Sequence, residues 1–455
     1  MNREISERID SYRGEFIETL RRWIQIPSVR SEPAEGAPFG PEVRRALDEA
    51  VKTAESMGFP AKNYDGYACD ITLGDGGDDI AVLGHLDVVP VGDGWSVPPF
   101  EGLVRDGRIY GRGTNDDKGP SLAALFAMRA IRETGIPLKK TIRMILGCDE
   151  ESGWECVKYY AEHARMPETG FSPDAGFPLI NTEKGMIHLR FRGKDEPGEV
   201  TVLRMETGDR VNVIPGESRA LLKGGAELAE RIRAFAQDTG LELTAETAEE
   251  GVWVTATGIP GHSAYPEGKR NAIGMMLTLL KALGARGPVR TLAEAVGMEH
   301  DGTHLGCAAR DEISGPLTCN MGILRLRDGV WEGTLDFRCP VTADLQALRD
   351  AAIAHLPGLE VEVTELKPPH HVPADSELVT SLLAAYEEET GWKGEAMSTG
   401  GGTYAKVLKQ GVAFGALFPD EEDLAHQADE YANIDRMMLA MKIYANALIR
   451  LAGKD

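Results

Sequence analysis

Apolar side chains at Ile5, Ile9, Tyr12, Phe16, Leu20 and Trp23 recur every three or four positions, the spacing of one helix face, and the run stops at Pro27. A second helix is expected from Pro41 to Met57, with Gly58 as its terminator. Three short apolar runs then read as strands: YACDITL (67–73), DIAVLGH (79–85) and TIRMILGCD (141–149). Before the third, DKGPSLAALFAMRAIRETG (117–135) reads as a helix. Strands alternating with helices predict an α/β layer with a largely parallel central sheet.

The texture changes near Lys184–His188. From about 187 to 366 short strands (EVTVLRM, GVWVTATG, VWEGTLDFRC) interleave with helices such as ELAERIRAFAQDTG, the pattern of an α+β unit. LKPPHHVPADSEL (366–378) reads as a crossing back, after which helices at 376–390, 402–409 and 435–452 flank a strand at 411–418. The economical organisation is a discontinuous first domain (1–186 and 367–455) with a second domain (187–366) inserted into it.

Composition narrows the function. Hydrophobic residues make up 42% and charged residues 27% of 455, enough for a large core and against disorder. With 49 basic and 72 acidic side chains the formal charge is −23, which repels phosphate backbones and anionic lipid, so neither nucleic acid nor a membrane is expected as a partner. The first residues, MNREISERIDSYRGEF, are charged and lack a signal-like apolar stretch, and no run of about 18 apolar residues occurs. Six cysteines without CxxC spacing read as reduced thiols, hence a cytoplasmic protein.

The candidate chemistry is acidic and histidine-bearing. His85 and Asp87 stand where an apolar strand ends, a place where α/β sheets gather ligands. Asp116 and Asp117, in YGRGTNDDKGPS, stand at a helix entry, where carboxylates also serve as caps. Asp149, Glu150 and Glu151 follow another buried-type strand, unlike EEET (387–390) and DEED (420–423), which read as solvated faces. Asp174 and His426 complete the group. Together they form a nitrogen and oxygen donor set suited to Zn²⁺ or Mn²⁺. Two metals about 3.5–4 Å apart need a bridging carboxylate plus one histidine and one terminal carboxylate each. The chain supplies that count with one carboxylate to spare.

HLDVVP, GRGTNDDKGPS, DEESG, the SPD of 172–174 and HQADE resemble, in order and across nearly the whole chain, the signatures of the co-catalytic di-metal peptidase family. That family includes dipeptidases of the PepV type, carnosinases, aminoacylases, glutamate carboxypeptidases and desuccinylases. GRGTNDDKGP, DEESGW, FSPD and GGGTY (400–404) are most similar to the PepV-type branch. The resemblance implies a zinc-exopeptidase type catalytic domain and an inserted lid. It implies two Zn²⁺ per chain, with Mn²⁺ or Co²⁺ as alternatives: one held by His85, Asp116 and Asp174, the other by Asp116, Glu151 and His426. Glu150 would be general base and acid, and Asp87 would orient His85. His262 of GHSAYP would polarise the scissile carbonyl. Asn212 of RVNVIPG, Arg338 of LDFRCP and the amides of Gly400, Gly401 and Gly402 would hold the substrate, Arg338 by its carboxylate. A cis peptide between Asp116 and Asp117 is implied as well.

The implied reaction is hydrolysis of unblocked dipeptides by a water made acidic between two cations, with Glu150 as its base. The alternatives are a deacylase or desuccinylase of N-acyl amino acids on the same scaffold, and a non-catalytic metal- or peptide-binding relative. A lid this long can supply His262 within one chain, so a monomer is favoured over a dimer.

Overall fold

A computed structural model describes residues 3–454, and the chain divides into two compact units. The first runs to Asn181 and resumes over His371–Met397 and from Gly402 onward. The second is Thr182–His370 with Ser398–Gly401.

In the first unit the opening apolar stripe is carried by two helices, Arg3–Ser11 and Arg13–Ile24, rather than one. Tyr12, between them, keeps helical dihedrals (φ −82°, ψ −9°), so the stripe of buried Ile5, Ile9, Phe16, Leu20 and Trp23 crosses the break without losing its face. The helix Pro41–Ser56 ends before Gly58, whose φ of +81° is the left-handed conformation that stops a helix.

The central sheet of this unit includes four parallel neighbours: Thr141–Gly147, Asp79–His85, Thr169–Ser172 and Gln410–Ala413. Ala68–Leu73 and then Ala61–Tyr64 extend it antiparallel on the Thr141–Gly147 side. Nearly every side chain of Asp79–His85 is buried, which is why that strand reads as a plain apolar run. The register decides where the chemistry goes. His85 pairs with Gly147, so Asp87 and Asp149–Glu151 leave the sheet together at the carboxyl ends of adjacent strands. Gly84 permits a close approach beside them, since a β-carbon there would meet Ser121 Oγ at 2.0 Å and Asp117 Oδ2 at 2.6 Å.

Two expectations near the end of the chain differ in detail. The helix expected over 402–409 is a single 3₁₀ turn, Tyr404–Val407, because Leu408 is already extended toward the next strand. The strand expected over 411–418 is two pieces, Gln410–Ala413 and Ala416–Leu417, parted by a cis peptide at Gly415–Ala416.

The second unit is an antiparallel eight-stranded sheet in the order Leu243–Ala248, Gly251–Thr257, Glu217–Leu222, Val202–Thr207, Thr318–Arg327, Val330–Cys339, Gly185–Lys194, Glu360–Lys367. Its core includes the helix Ala272–Ala282, with eight buried residues, and parts of Ala226–Thr239, Pro288–Ala295 and Leu345–Ala354. Among the described residues no helix is long and apolar enough to cross a membrane.

Candidate functional site

In the first unit His85, Asp116, Asp174, Glu151 and His426 converge. His85 is fully buried, with Nε2 3.0 Å from Asp116 Oδ1 and 3.6 Å from Asp174 Oδ2. His426 Nε2 lies 3.0 Å from Asp116 Oδ2 and 3.1 Å from the Glu151 carboxylate. Asp116 therefore turns one oxygen toward each histidine. The ligand atoms fall into two triads that share it, His85–Asp116–Asp174 and Asp116–Glu151–His426, each with its atoms within 4.8 Å of one another. The peptide between Asp116 and Asp117 is cis.

The electrostatics suit cations. Burial pushes the Glu151 and Asp174 carboxyls upward, and the neighbouring Asp116 carboxylate adds to the effect in both. Glu150 is raised further by burial, with Asp174, Glu151 and Asp116 adding to it against His85. Bonds with Asp116 and Glu151 lift His426 to about 10. Four crowded carboxylates that draw positive charge onto their histidines form the donor set expected of a divalent-metal site. Histidine nitrogen and carboxylate oxygen fit Zn²⁺ or Mn²⁺.

Surrounding bonds hold these ligands in place. His85 Nδ1 is 3.0 Å from the Asp87 carbonyl oxygen and 3.6 Å from Asp87 Oδ1. The Asp87 carboxylate is engaged chiefly elsewhere, accepting the N–H of Glu150 and of Glu151, each at 3.1 Å. Among the described residues the Glu150 side chain takes no hydrogen bond, whereas that of Glu151 meets His426.

Two buried acids support the site from behind: Asp117, which the sequence offers only as a cap or a ligand, and Glu430, which the sequence does not single out. Asp117 Oδ2 accepts the His85 N–H at 3.1 Å and Ser121 Oγ at 2.7 Å. Glu430, four residues after His426, accepts the amides of Gly113, Asn115 and Asp116 as well as Arg112 Nη1 at 2.7 Å. It ties the Asp116 loop to the His426 loop. Glu430 is 0% exposed while the rest of HQADE is at least partly solvated, a difference that the sequence does not carry.

The remaining candidates lie mostly in the second unit. The Ser263 N–H donates to the Asn212 carbonyl at 3.0 Å, and Val213 pairs with His262. The Ala264 N–H donates to His262 Nδ1 at 3.2 Å, which leaves the ring proton on Nε2. Burial, and Arg338 after it, lower the His262 pKa, so the ring is neutral near pH 7. Arg338 is 3% exposed; its Nη1 donates to the Gly400 carbonyl at 2.6 Å, and its Nε and Nη2 to Asp336. The Gly401 N–H is given to Thr399 Oγ1 at 3.1 Å. Gly402 falls within the first unit.

The chain matches the model of peptidase family M20/M25/M40 over residues 81–450. It is 38% identical over 455 aligned residues to the Bacillus subtilis (strain 168) protein named "Putative dipeptidase YtjP", with 96% of this chain and 97% of that one covered. Solved structures of human carnosine dipeptidase 1 (TM-score 0.62, 16% identity) and of the di-peptidase Dug1p from Saccharomyces cerevisiae (TM-score 0.60, 15% identity) superpose on it, each with 98% of both chains covered. At those identities the structural likeness is one of fold.

Proposed function

Because the chain belongs to peptidase family M20/M25/M40, we propose that it is a metal-dependent dipeptidase that hydrolyses unblocked dipeptides with Glu150 as general base. The observation that carries the reading is the contrast at the site: Asp116 shared between two histidine-bearing triads, beside a half-buried Glu150 whose carboxylate takes no hydrogen bond among the described residues. His85, Asp116 and Asp174 would hold one ion, and Asp116, Glu151 and His426 a second, with Zn²⁺ first and Mn²⁺ or Co²⁺ as alternatives. Bound there, such ions supply Lewis acidity that lowers the pKa of water and polarises a carbonyl oxygen.

The chain's own groups do the rest. Glu150 takes a proton from the attacking water at its carboxylate and passes it to the leaving amine. Asp87 holds the turn that carries this base. His262, neutral and protonated on Nε2, donates to the developing oxyanion. Arg338 would bind the substrate's carboxylate, the N–H groups of Gly400, Gly401 and Gly402 would serve the same end, that of Gly401 on release from Thr399 Oγ1, and Asn212 would hold the substrate as well. We further propose a cytoplasmic monomer, in keeping with six buried free thiols.

The test is a panel of unblocked dipeptides against N-acetyl and N-succinyl amino acids, run after chelation and after Zn²⁺ is restored. Metal-dependent turnover of the dipeptides supports the reading. Turnover of the acylated amino acids alone makes the chain a deacylase, and turnover of neither by metal-loaded protein makes it a binder.

A further inference from the structure

Asp336, in the strand Val330–Cys339, is 1% exposed, and its carboxylate collects donors from several parts of the second unit. Ser263 Oγ donates to its Oδ2, as do Arg338 Nε at 3.2 Å and Nη2 at 3.1 Å. On its other oxygen, His188 Nε2 stands at 3.2 Å. None of these contacts is required by the sheet itself. They tie together loops and strand ends that the chain brings from distant positions.

Two of these partners, Ser263 and Arg338, connect to groups assigned above to the substrate. Ser263 follows His262, and its N–H is bonded to the carbonyl of Asn212. Arg338 reaches the Gly400 carbonyl. Gly400 in turn is pressed against the residue after Ser263: a β-carbon there would lie 2.4 Å from Ala264 Cβ. The segments bearing Asn212, His262, Arg338 and Gly400 thus meet around one buried carboxylate.

The use of the arginine is also informative. A guanidinium has five N–H donors. Two go to Asp336 and one to Gly400, leaving one on each terminal nitrogen. Asp336 grips the fork from the Nε side and fixes the plane in which the free pair lies. A buried arginine without this counter-charge would have to rotate or recruit water to stay solvated.

We propose that Asp336 is a positioning residue, which locks the carboxylate-binding fork of Arg338 and the turn bearing His262 into one arrangement. This rests on the dipeptidase reading. Recognition of the substrate's carboxylate and polarisation of its carbonyl are then set by a single group that touches neither. Preorganisation of this kind pays because small misplacements of binding groups are costly in rate.

The experiment uses the full-length, metal-loaded enzyme. It measures kcat and KM for an unblocked dipeptide and for the same dipeptide as its C-terminal amide, in wild type, Asp336→Asn, Ser263→Ala and Ser263→Thr. Asparagine keeps the shape and can still accept from Ser263, but it removes the charge that orients Arg338. The ratio of kcat/KM for acid over amide is expected to fall by roughly tenfold or more in Asp336→Asn, the scale of a lost charge-assisted bond. Ser263→Ala is expected to lower kcat on both substrates by about tenfold while leaving that ratio alone, and Ser263→Thr to recover most of the loss. A purely structural role would lower the active fraction, and so both substrates equally, in Asp336→Asn. An unchanged acid-to-amide ratio in folded Asp336→Asn, or wild-type kcat in Ser263→Ala, overturns the proposal. Should Asp336→Asn fail to fold, the Ser263 pair decides: loss with rescue by threonine supports the proposal, and no loss overturns it. A wild type without dipeptide turnover overturns the underlying reading and this proposal with it. A wild type that prefers the free acid, beside an Asp336→Asn that keeps the preference, overturns the proposal alone.

Discussion

Asp87 and Glu150 are joined through the backbone: Asp87 Oδ1 accepts the Glu150 N–H at 3.1 Å, and Oδ2 accepts the next amide, that of Glu151, at the same distance. One buried carboxylate therefore sets the direction of the proposed base and of the adjacent proposed ligand. Asp87→Ala would strand two amides, at about 1–3 kcal/mol each. It is expected to lower kcat/KM by roughly 10²-fold or more, since the turn loses its anchor. Asp87→Asn, whose amide oxygen can replace only one of the two acceptors, should fall between. Steady-state kinetics of the three proteins check the order.

Glu150 and Glu151 should part company on mutation. Glu150→Gln is expected to keep its metal and its fold and to lose about 10²–10⁴-fold in kcat, the usual scale of general acid–base catalysis. Glu151→Gln should lose metal instead. Elemental analysis beside single-turnover kinetics distinguishes them, and reversed phenotypes would exchange the two roles.

Metal content should follow the sharing of Asp116. Two ions per chain are expected in active protein. His85→Ala and His426→Ala should each remove one, and Asp116→Ala should disturb both. One ion in fully active wild type, measured by mass spectrometry of acid-digested protein, would rule out the paired arrangement.

Arg338→Ala is expected to cost on the order of 2–5 kcal/mol in kcat/KM on dipeptides, because it removes the clamp and leaves the Asp336 charge buried without its main partner. Tetrapeptides, which place their carboxylate elsewhere, should be poor substrates of the wild type. Equal rates on dipeptides and tetrapeptides would argue against a site that measures from the carboxylate end.

The second unit should show its own pH signature through His188, which lies 2.8 Å from Glu365 and 3.2 Å from Asp336. Burial opposes its charge, but the bonds with Asp336 and Glu365 hold its pKa above the usual 6.5. Glu365 is held at about 2, chiefly by its bond with His188, against burial and with help from Lys367. The depressed Glu365 contributes stability above its ordinary 4.5 and loses it as pH falls toward 2. The raised His188 contributes fully below 6.5 and loses that contribution as pH rises through its folded value. The melting-temperature gap between wild type and His188→Gln is therefore expected to be widest between about pH 4.5 and 6.5 and to narrow on both sides. A gap that is flat with pH would mean the trio is not charged as described.

What could be read from the sequence follows from what sequence records. Asp79–His85 is legible because both faces are buried, so its apolar run is unbroken, and the residues just past such a run fall at the ligand-gathering edge. His85, Asp116, Glu151, Asp174 and His426 could be nominated by donor type, and the fold brings them together. The strand Gly185–Lys194 was harder to see, since its buried residues alternate with His188, Arg190 and Arg192. Backbone partners cannot be seen at all. The bonds of Asp87 to two amides, of Glu430 to three, and of Gly401 to Thr399 depend on loop paths that side-chain identity does not encode. Asp336 reads as an ordinary strand residue until the donors around it are located.

The tie between Glu430 and the Asp116 loop has a consequence for the order of events during synthesis. His85, Asp116, Glu151 and Asp174 leave the ribosome early, but the loop that carries Asp116 finds its acceptor, and the second triad its histidine, only after residue 430 has been made. The strand Gln410–Ala413, which precedes residue 430, must also return to Thr169–Ser172, a closure over about 240 residues whose cost grows only slowly with length. A nascent or prematurely terminated chain therefore carries the carboxylates without the assembled centre. On the proposed reading, a chain halted before residue 430 would hold these carboxylates and lack the bonds that join the Asp116 loop to the His426 loop, so it would have no peptidase activity.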